Sequence, residues 1–546
     1  MFELKIVSGL EKCFLDQSVS DFDELSELYV FRGERFSFQL IYKQTDIFAP
    51  MPFMLQVRTT GDFSGKVNIR TVENVPVTLP VYHNSRDDNY LRDTPGLYPD
   101  VLVPLKYDGC TPSAPGQLRG VWFECEGDEE QAGTSEITVI LKAGDTEYGR
   151  ASLCIHTADA ALDPADFKLT QWFHYDCLAH TYNVEVFSPK HWEITENYIK
   201  TAVKNGINTI LTPVFTPPLD TMVGHERLTV QLVGVKIQNG KYKFDFSLLS
   251  RFVDMCLSCK VEYFEISHLF TQWGAGHAPK IMAEVNGKKT RIFGWETDSC
   301  GEEYRAFLAA FLPRLTAFFK RKGISDRVLF HISDEPSGQQ LEQYTRAKAG
   351  VEKYLKGFTV IDALSNVEFF KAGVIENPVP GCDHVEEFIK AGVQHPWTYY
   401  CCGQGVKVPN RFIAMPQQRN RIIGILFYKF RIEGFLQWGY NFYNNCGSAD
   451  PIEPFLSTSG DQWVPAGDTC SVWPCRNGTA YESTRITAFY DGLQDMRALY
   501  TLEKRLGRDR VLALLEEGLE KPLTFFDYPK DAKYILDVRK RINELI

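Results

Sequence analysis

Two rhythms of apolar and polar positions divide this chain. Up to about residue 160, apolar positions alternate with polar ones or run in short stretches rich in β-branched and aromatic side chains, as at Leu28–Phe31, Phe36–Tyr42, Gly120–Cys125 and Glu136–Leu141. Clusters of Gly, Pro, Asp and Asn separate these stretches and no helical period intervenes, which predicts a β-sandwich over residues 1–160. The Ala- and Asp-rich segment Thr157–Phe167 reads as a linker. From Lys168 the rhythm becomes strand, helix, strand. Candidate strands are Thr170–Tyr175, Thr209–Phe215, Tyr263–Leu269, Val328–Ser333, Thr359–Leu364, Trp397–Cys401 and Gly434–Tyr440, with a less regular one near Asp383–Phe388. Helical patterns lie between them at Glu193–Asn205, Phe246–Cys259, Tyr304–Lys322, Gln340–Leu355 and Arg419–Phe430. Seven or eight βα units over roughly 300 residues predict a (β/α)8 barrel, assigned here to residues 161–480. The doubly wound alternative lacks its glycine-rich phosphate loop after any strand. Residues 481–546 read as helices packed on the barrel.

A barrel gives the adjacent acids Asp334 and Glu335 a meaning. Val328–Ile332 reads as a buried parallel strand, the carboxylates arrive where it ends, and Pro336 biases Glu335 toward extended geometry. The carboxyl ends of barrel strands are where such enzymes hold their chemistry. Two carboxylates this close cannot both ionise freely, so their pKa values are driven apart and one becomes a proton donor. That division suits cleavage of a glycosidic bond. Other polar and aromatic residues gather at strand ends: Trp172, His174 and Asp176; His268 and Trp273; Trp397, Tyr399 and Tyr400; Trp438, Tyr440, Asn441 and Tyr443. Flat aromatic faces stack on the C–H faces of pyranose rings, and short polar side chains read hydroxyls.

Composition narrows the partners. A formal charge of -11 leaves no basic face for nucleic acid or anionic membranes. No apolar run reaches the length of a membrane span, so no membrane insertion is expected. The first residues show no basic segment followed by an apolar run, and fourteen scattered cysteines suggest reduced thiols, so the expected location is cytoplasmic. Cys256 and Cys259 fall within a helical pattern with no second pair at zinc spacing, and Cys401-Cys402 reads as packing within a strand; no metal or cofactor is expected.

Several phrases resemble glycoside hydrolase family 123. They are FLQWGYNFYN, Gly467-Asp468, Val472-Trp473-Pro474 and SxRxxAxxDGLQD over Ser483–Asp495, with HISDEP and WTYYC in agreement. Phe31–Gln39 and Pro95–Asp100 are similar to that family's β-sandwich module. The resemblance implies an exo-acting, retaining β-N-acetylgalactosaminidase that works with help from its substrate, an exception to the two-carboxylate scheme. It implies that Asp334 stays ionised to orient the 2-acetamido group, while Glu335, its pKa raised by that charge, acts as general acid and base. Tyr399 is then expected at the acetamido oxygen and Trp438 at the pocket floor, with His268, Asn441 and Asp468 as candidate readers of the 4-hydroxyl. His174, Trp397 and Tyr440 complete the expected substrate-binding set. The expected partner is an oligosaccharide ending in β-linked GalNAc, including the glycans of glycosphingolipids taken up as fragments.

Two rival readings stay open. A glycosidase for another sugar, with ordinary two-carboxylate chemistry, needs a second acid such as Asp176 or Asp468. A carbohydrate-binding protein without activity keeps the aromatic cleft and uses Asp334-Glu335 only as a turn.

Overall fold

The computed structural model describes residues 2–46 and 53–546. Two five-stranded sheets form the N-terminal sandwich. One contains Phe2–Ser8, Arg35–Gln44, Leu118–Glu126, Lys66–Val77 and Gly96–Pro104; the other contains Glu27–Arg32, Thr146–Ala161, Gly133–Ala143, Met54–Gly61 and Cys110–Pro112. The period-two pattern explains their packing. Phe36, Phe38, Leu40 and Tyr42 face inward from one strand and meet Ile137, Val139, Leu141, Leu153 and Ile155 of the opposite sheet. The segment read as a linker belongs in part to this sandwich, because Thr146–Ala161 is one continuous strand hydrogen-bonded along Glu27–Arg32.

Eight parallel strands follow: Lys168–Gln171, Thr209–Thr212, Tyr263–Ile266, Val328–Phe330, Thr359–Ala363, Asn377–Val379, Trp397–Tyr399 and Gly434–Gln437. They pair in sequence order, with the first beside the eighth. Closure runs through Tyr399, whose N–H donates to the Pro380 carbonyl at 2.9 Å and whose carbonyl accepts from the Cys382 N–H at 2.8 Å. Along each strand one set of side chains fills the barrel and the other meets the helices. Leu329 joins Trp172, Leu211, Ile361 and Leu436 inside, whereas Val328 and Phe330 belong to the outer core. The sixth strand differs from the sequence reading: it is Asn377–Val379, and most of Asp383–Phe388, expected as strand, falls in the helix Val385–Lys390, whose Val385 and Phe388 are buried.

Two features depart from a plain barrel. The connections after the second and third strands grow hairpins, Gly234–Gln238 with Lys241–Asp245 and Ile281–Val285 with Lys288–Phe293, which join as a four-stranded sheet. At the other end, the helix Thr484–Leu506 packs along Gln417–Arg421 and Ile423–Phe430, in the place of the barrel's eighth helix. The final helix, Ala532–Leu545, lies against the sandwich strand Glu27–Arg32.

Candidate active site

The fourth strand ends its ladder at Phe330, and a short irregular stretch leads from it to the acid pair. Three backbone bonds fix its path. The Trp273 N–H donates to the Asp334 carbonyl at 2.7 Å, the Glu335 N–H donates to the Ala363 carbonyl at 2.9 Å, and the Phe270 N–H donates to the Ile332 carbonyl at 3.0 Å. Glu335 adopts φ +42°, a left-handed conformation that costs a residue with a side chain about 1–3 kcal/mol. The strain turns the two neighbouring carboxylates into different surroundings. Asp334 is buried, whereas Glu335 is exposed and accepts a 2.7 Å hydrogen bond from the Tyr399 hydroxyl.

Burial pushes the Asp334 carboxyl well above the usual carboxylate range, Glu335 and Asp220 push it further, and His331 opposes them. The sequence reading places the upward shift on Glu335. The structure raises Asp334, the buried member of the pair. Among the described residues no hydrogen-bond donor reaches the Asp334 carboxylate.

A buried polar network lies beneath the pair. His331 sits between Glu265, at 2.5 Å from Nε2, and Asp362, at 3.2 Å from Nδ1. Burial alone depresses this imidazole, but the two carboxylates outweigh it and hold its pKa up at about 9. Asp362 also accepts from the backbone N–H groups of Ile332, at 2.8 Å, and Ser333, at 3.3 Å, so it holds the peptide leading to Asp334. Glu265 accepts from the Trp172 indole at 2.7 Å and from the Thr170 hydroxyl. His268 stacks on His331 at 4.2 Å, and neither of its ring nitrogens has a partner among the described residues.

The remaining predicted residues separate by the direction of their side chains. Tyr399 and Trp438 share the barrel-interior cluster beneath the mouth, and the Trp438 indole donates to Asp468 at 2.9 Å. Asp468 also accepts from the Gln437 amide at 3.2 Å, and burial raises its carboxyl to about 6 against the pull of Arg411. Gly439 lets the two segments meet: a Cβ there stands 2.6 Å from the Asp468 carbonyl oxygen. Four other predicted residues are held by internal partners. His174 bonds the Trp438 carbonyl through Nε2 and accepts from Arg227 at Nδ1, both at 2.9 Å. The Asn441 amide is spent on the His174 backbone, accepting from its N–H at 2.9 Å and donating to its carbonyl at 3.0 Å. The Tyr440 hydroxyl reaches outward to the Tyr198 carbonyl at 2.9 Å. Trp397 opens its strand, at the end of the barrel remote from the acids, and its indole covers Gly434, where a Cβ would come within 2.1 Å. Asp176 is locked to Arg227 and so is not available as the second acid of a rival mechanism.

The model for the catalytic domain of glycoside hydrolase 123 matches residues 172–502, which begin just after the first barrel strand, take in the other seven and reach into the helix Thr484–Leu506. The chain belongs to glycoside hydrolase family 123. Among solved structures, a family 123 glycoside hydrolase from Clostridium perfringens, presented for its details of glycolipid glycan hydrolysis, is similar over 100% of this chain and 98% of that one, with TM-score 0.74 and 13% identity. A Bacteroides ovatus family 5 xyloglucanase (TM-score 0.30, 10% identity, 90% of this chain and 100% of that one) is too distant to carry an argument. The same holds for a Thermobacillus composti family 10 xylanase (TM-score 0.29, 12% identity, 55% and 99%). The comparison with curated proteins gives no match.

A family 123 glycoside hydrolase acts on a carbohydrate, and this cleft offers an exposed carboxylate, a buried one beside it and aromatic walls. Sequence reasoning missed three of its parts. Asp220 lies in the long connection after the second strand, where no periodicity marks a loop residue as inward-facing; burial raises its carboxyl to about 7, with Glu335 and Asp468 adding to the shift and Arg227 opposing it. Glu265 and Asp362 lie on strands, and the only signal was a charged residue at a buried strand position, an informative exception. The sandwich also reaches the mouth: the Tyr82 hydroxyl donates to the Trp463 carbonyl at 2.9 Å, and burial raises this phenol, with Cys402 and Asp468 adding to the shift. No helix among the described residues is long and apolar enough to cross a membrane.

Proposed function

We propose that this family 123 glycoside hydrolase is exo-acting and removes terminal β-linked N-acetylgalactosamine with retention of configuration, using the substrate's acetamido group as nucleophile. The observation that carries the reading is the Asp334 carboxylate, buried, without a donor among the described residues, and one peptide away from an exposed acid. An acetamide N–H is a donor suited to that acceptor. As it binds, Asp334 gains the hydrogen bond that favours its charged form. The acetamido oxygen then attacks the anomeric carbon and forms an oxazolinium whose positive charge faces Asp334. Glu335 passes its proton to the departing glycosidic oxygen, and the aglycone leaves as an alcohol. In the second half Glu335 takes a proton from water as the water oxygen attacks the anomeric carbon, which reopens the acetamide. Two inversions give net retention. Glycolipid glycans are proposed as substrates by analogy with the Clostridium perfringens relative.

Asp220 supports a second reading, since it supplies a further carboxylate at the mouth for ordinary two-carboxylate chemistry. One set of measurements separates the two. A GalNAc-derived thiazoline, which mimics the bicyclic intermediate, is expected to bind far more tightly than GalNAc. The aryl β-galactoside, lacking the acetamide, is expected to turn over negligibly, and proton NMR should show the β-anomer first. A covalent glycosyl adduct on Asp220, or good turnover of the plain galactoside, sinks the substrate-assisted mechanism.

A further inference from the structure

Substrate-assisted cleavage leaves Asp220 without a task. Leu219, the residue before it, packs in the barrel interior with Trp172, Tyr399 and Trp438, so Asp220 emerges at the mouth. Its backbone is held from two other loops: its N–H donates to Gln272 Oε1 at 2.6 Å, and its carbonyl accepts from the Ser448 hydroxyl at 2.8 Å. These bonds fix it at φ +48°, a left-handed conformation at a residue other than glycine. Connections after the second, third and eighth strands therefore converge on one residue. Its carboxylate bonds none of the described residues, and the neighbouring cation, Arg227, is already paired with Asp176.

Gln272 supplies an independent observation. Its side chain is 3% exposed, its oxygen is spent on the Asp220 N–H, and its Nε2 has no partner among the described residues. A buried amide donor left open is costly unless something fills it. The residue whose N–H this amide holds, Asp220, carries an open carboxylate acceptor. A sugar hydroxyl donates one hydrogen bond and accepts others, and so answers both.

We infer that Asp220 and Gln272 together read one ring hydroxyl of the terminal sugar, Asp220 accepting its proton and Gln272 Nε2 donating to its oxygen. The pair is thus a specificity element. The inference rests on the reading that a terminal 2-acetamido sugar lies beside Asp334; its acetamide and glycosidic oxygen face Asp334 and Glu335, which leaves the 3-, 4- and 6-hydroxyls.

The test is a cycle of enzyme and substrate changes. Wild type, Asp220→Asn and Gln272→Met are assayed on an aryl β-GalNAc and on its 3-, 4- and 6-deoxy analogues. Each variant is expected to lower kcat/KM on the parent by about 100-fold or more, as does loss of a hydroxyl that a site is built to bond. For one deoxy analogue, variant and analogue together should cost no more than either alone, the mark of one shared contact. Losses that multiply for all three analogues overturn the inference. Should Asp220→Asn fail to fold, Gln272→Met, which keeps the Asp220 carboxylate while giving up the bond to its N–H, carries the same cycle and decides the matter by the same criterion. If wild type turns over no aryl 2-acetamido sugar at all, the functional reading fails and the inference falls with it; the wild-type data alone tell these two failures apart.

Discussion

At the scale of single residues, the site keeps a group where folding alone disfavours it. Asp334 is buried away from any donor among the described residues, with three acids, Glu335, Asp220 and Asp362, raising its carboxyl further. An acid whose folded-state pKa is raised is favoured in its neutral form. The fold therefore carries no penalty below the unfolded-state pKa of about 4, and the penalty grows as pH rises from there through the raised value. Asp334→Asn is accordingly expected to lower kcat while raising the melting temperature at pH 8, by about 1–2 °C in a chain of this size, with the gain shrinking toward pH 4. The acid limb of kcat/KM should lie above the ordinary carboxylate range in wild type and lose that component in the variant. Calorimetry and pH–rate profiles check both. A variant less stable than wild type at pH 8 shows that Asp334 serves the fold and not the chemistry.

At the scale of elements, the phrase SxRxxAxxDGLQD, part of the block that ties the chain to its family, turns out to be architecture. Ser483 caps the helix Thr484–Leu506, its hydroxyl accepting from the Ile486 N–H at 3.2 Å. Gly492 lets that helix touch Ile423–Phe430 backbone to backbone, since a Cβ on Gly424 would stand 1.7 Å from the Gly492 carbonyl oxygen. Gly424→Ala is expected to destabilise by about 3 kcal/mol, the upper end of overpacking costs, in urea unfolding. Gly350→Ala, in the middle of the helix Leu341–Leu355 where a Cβ meets nothing closer than 3.9 Å, should instead stabilise by about 0.5–1 kcal/mol. The same scale shows why the barrel is legible in the sequence and much of its mouth is not. Alternating apolar residues reveal every strand but the sixth. Hydropathy nevertheless carries the strands on to Tyr175, Phe215, Leu269 and Tyr440, where the ladders stop at Gln171, Thr212, Ile266 and Gln437. Those overhanging residues stay buried after they leave the sheet, so hydropathy cannot mark the exit. It also cannot tell which way a side chain turns, and so His174, Tyr440 and Asn441 look like ligands for a sugar while they are fastened to their own protein. The acid pair stands out because two carboxylates follow a buried apolar run within one short stretch, although Pro336 misleads about their backbone: Glu335 is left-handed at φ +42° and not extended.

Across the whole molecule, ion pairs join the sandwich to the barrel, and one of them, fully buried, leads to the site. Asp100 of the sandwich holds Arg485 through both oxygens, at 2.7 and 2.9 Å, and accepts the Trp473 indole at 2.9 Å. Arg485 in turn donates to the carbonyls of Gly467, at 2.7 Å, and Cys470, at 2.8 Å, on either side of Asp468. A second clasp joins Asp87 to Arg419 with two 2.8 Å bonds. Asp100→Ala strands a buried guanidinium, at a cost of about 3–5 kcal/mol. It should also raise KM on aryl glycosides, because the Asp468 loop loses its anchor. A normal KM in a destabilised Asp100→Ala protein shows that the link is mechanical support without reach into the pocket.

The final helix gives the order of assembly. Asn543 donates to the carbonyls of Val30, at 2.9 Å, and His156, at 3.0 Å, Arg539 pairs with Glu34, and Leu536 packs on the sandwich core. The sandwich leaves the ribosome before the barrel, yet part of its cover is made only after the entire barrel. During synthesis the strand Glu27–Arg32 must wait with that face open to water and to neighbouring nascent chains. A message cut short before residue 532 thus harms the opposite end of the protein, leaving a finished barrel attached to an uncapped sandwich that is a ready target for chaperones and proteases.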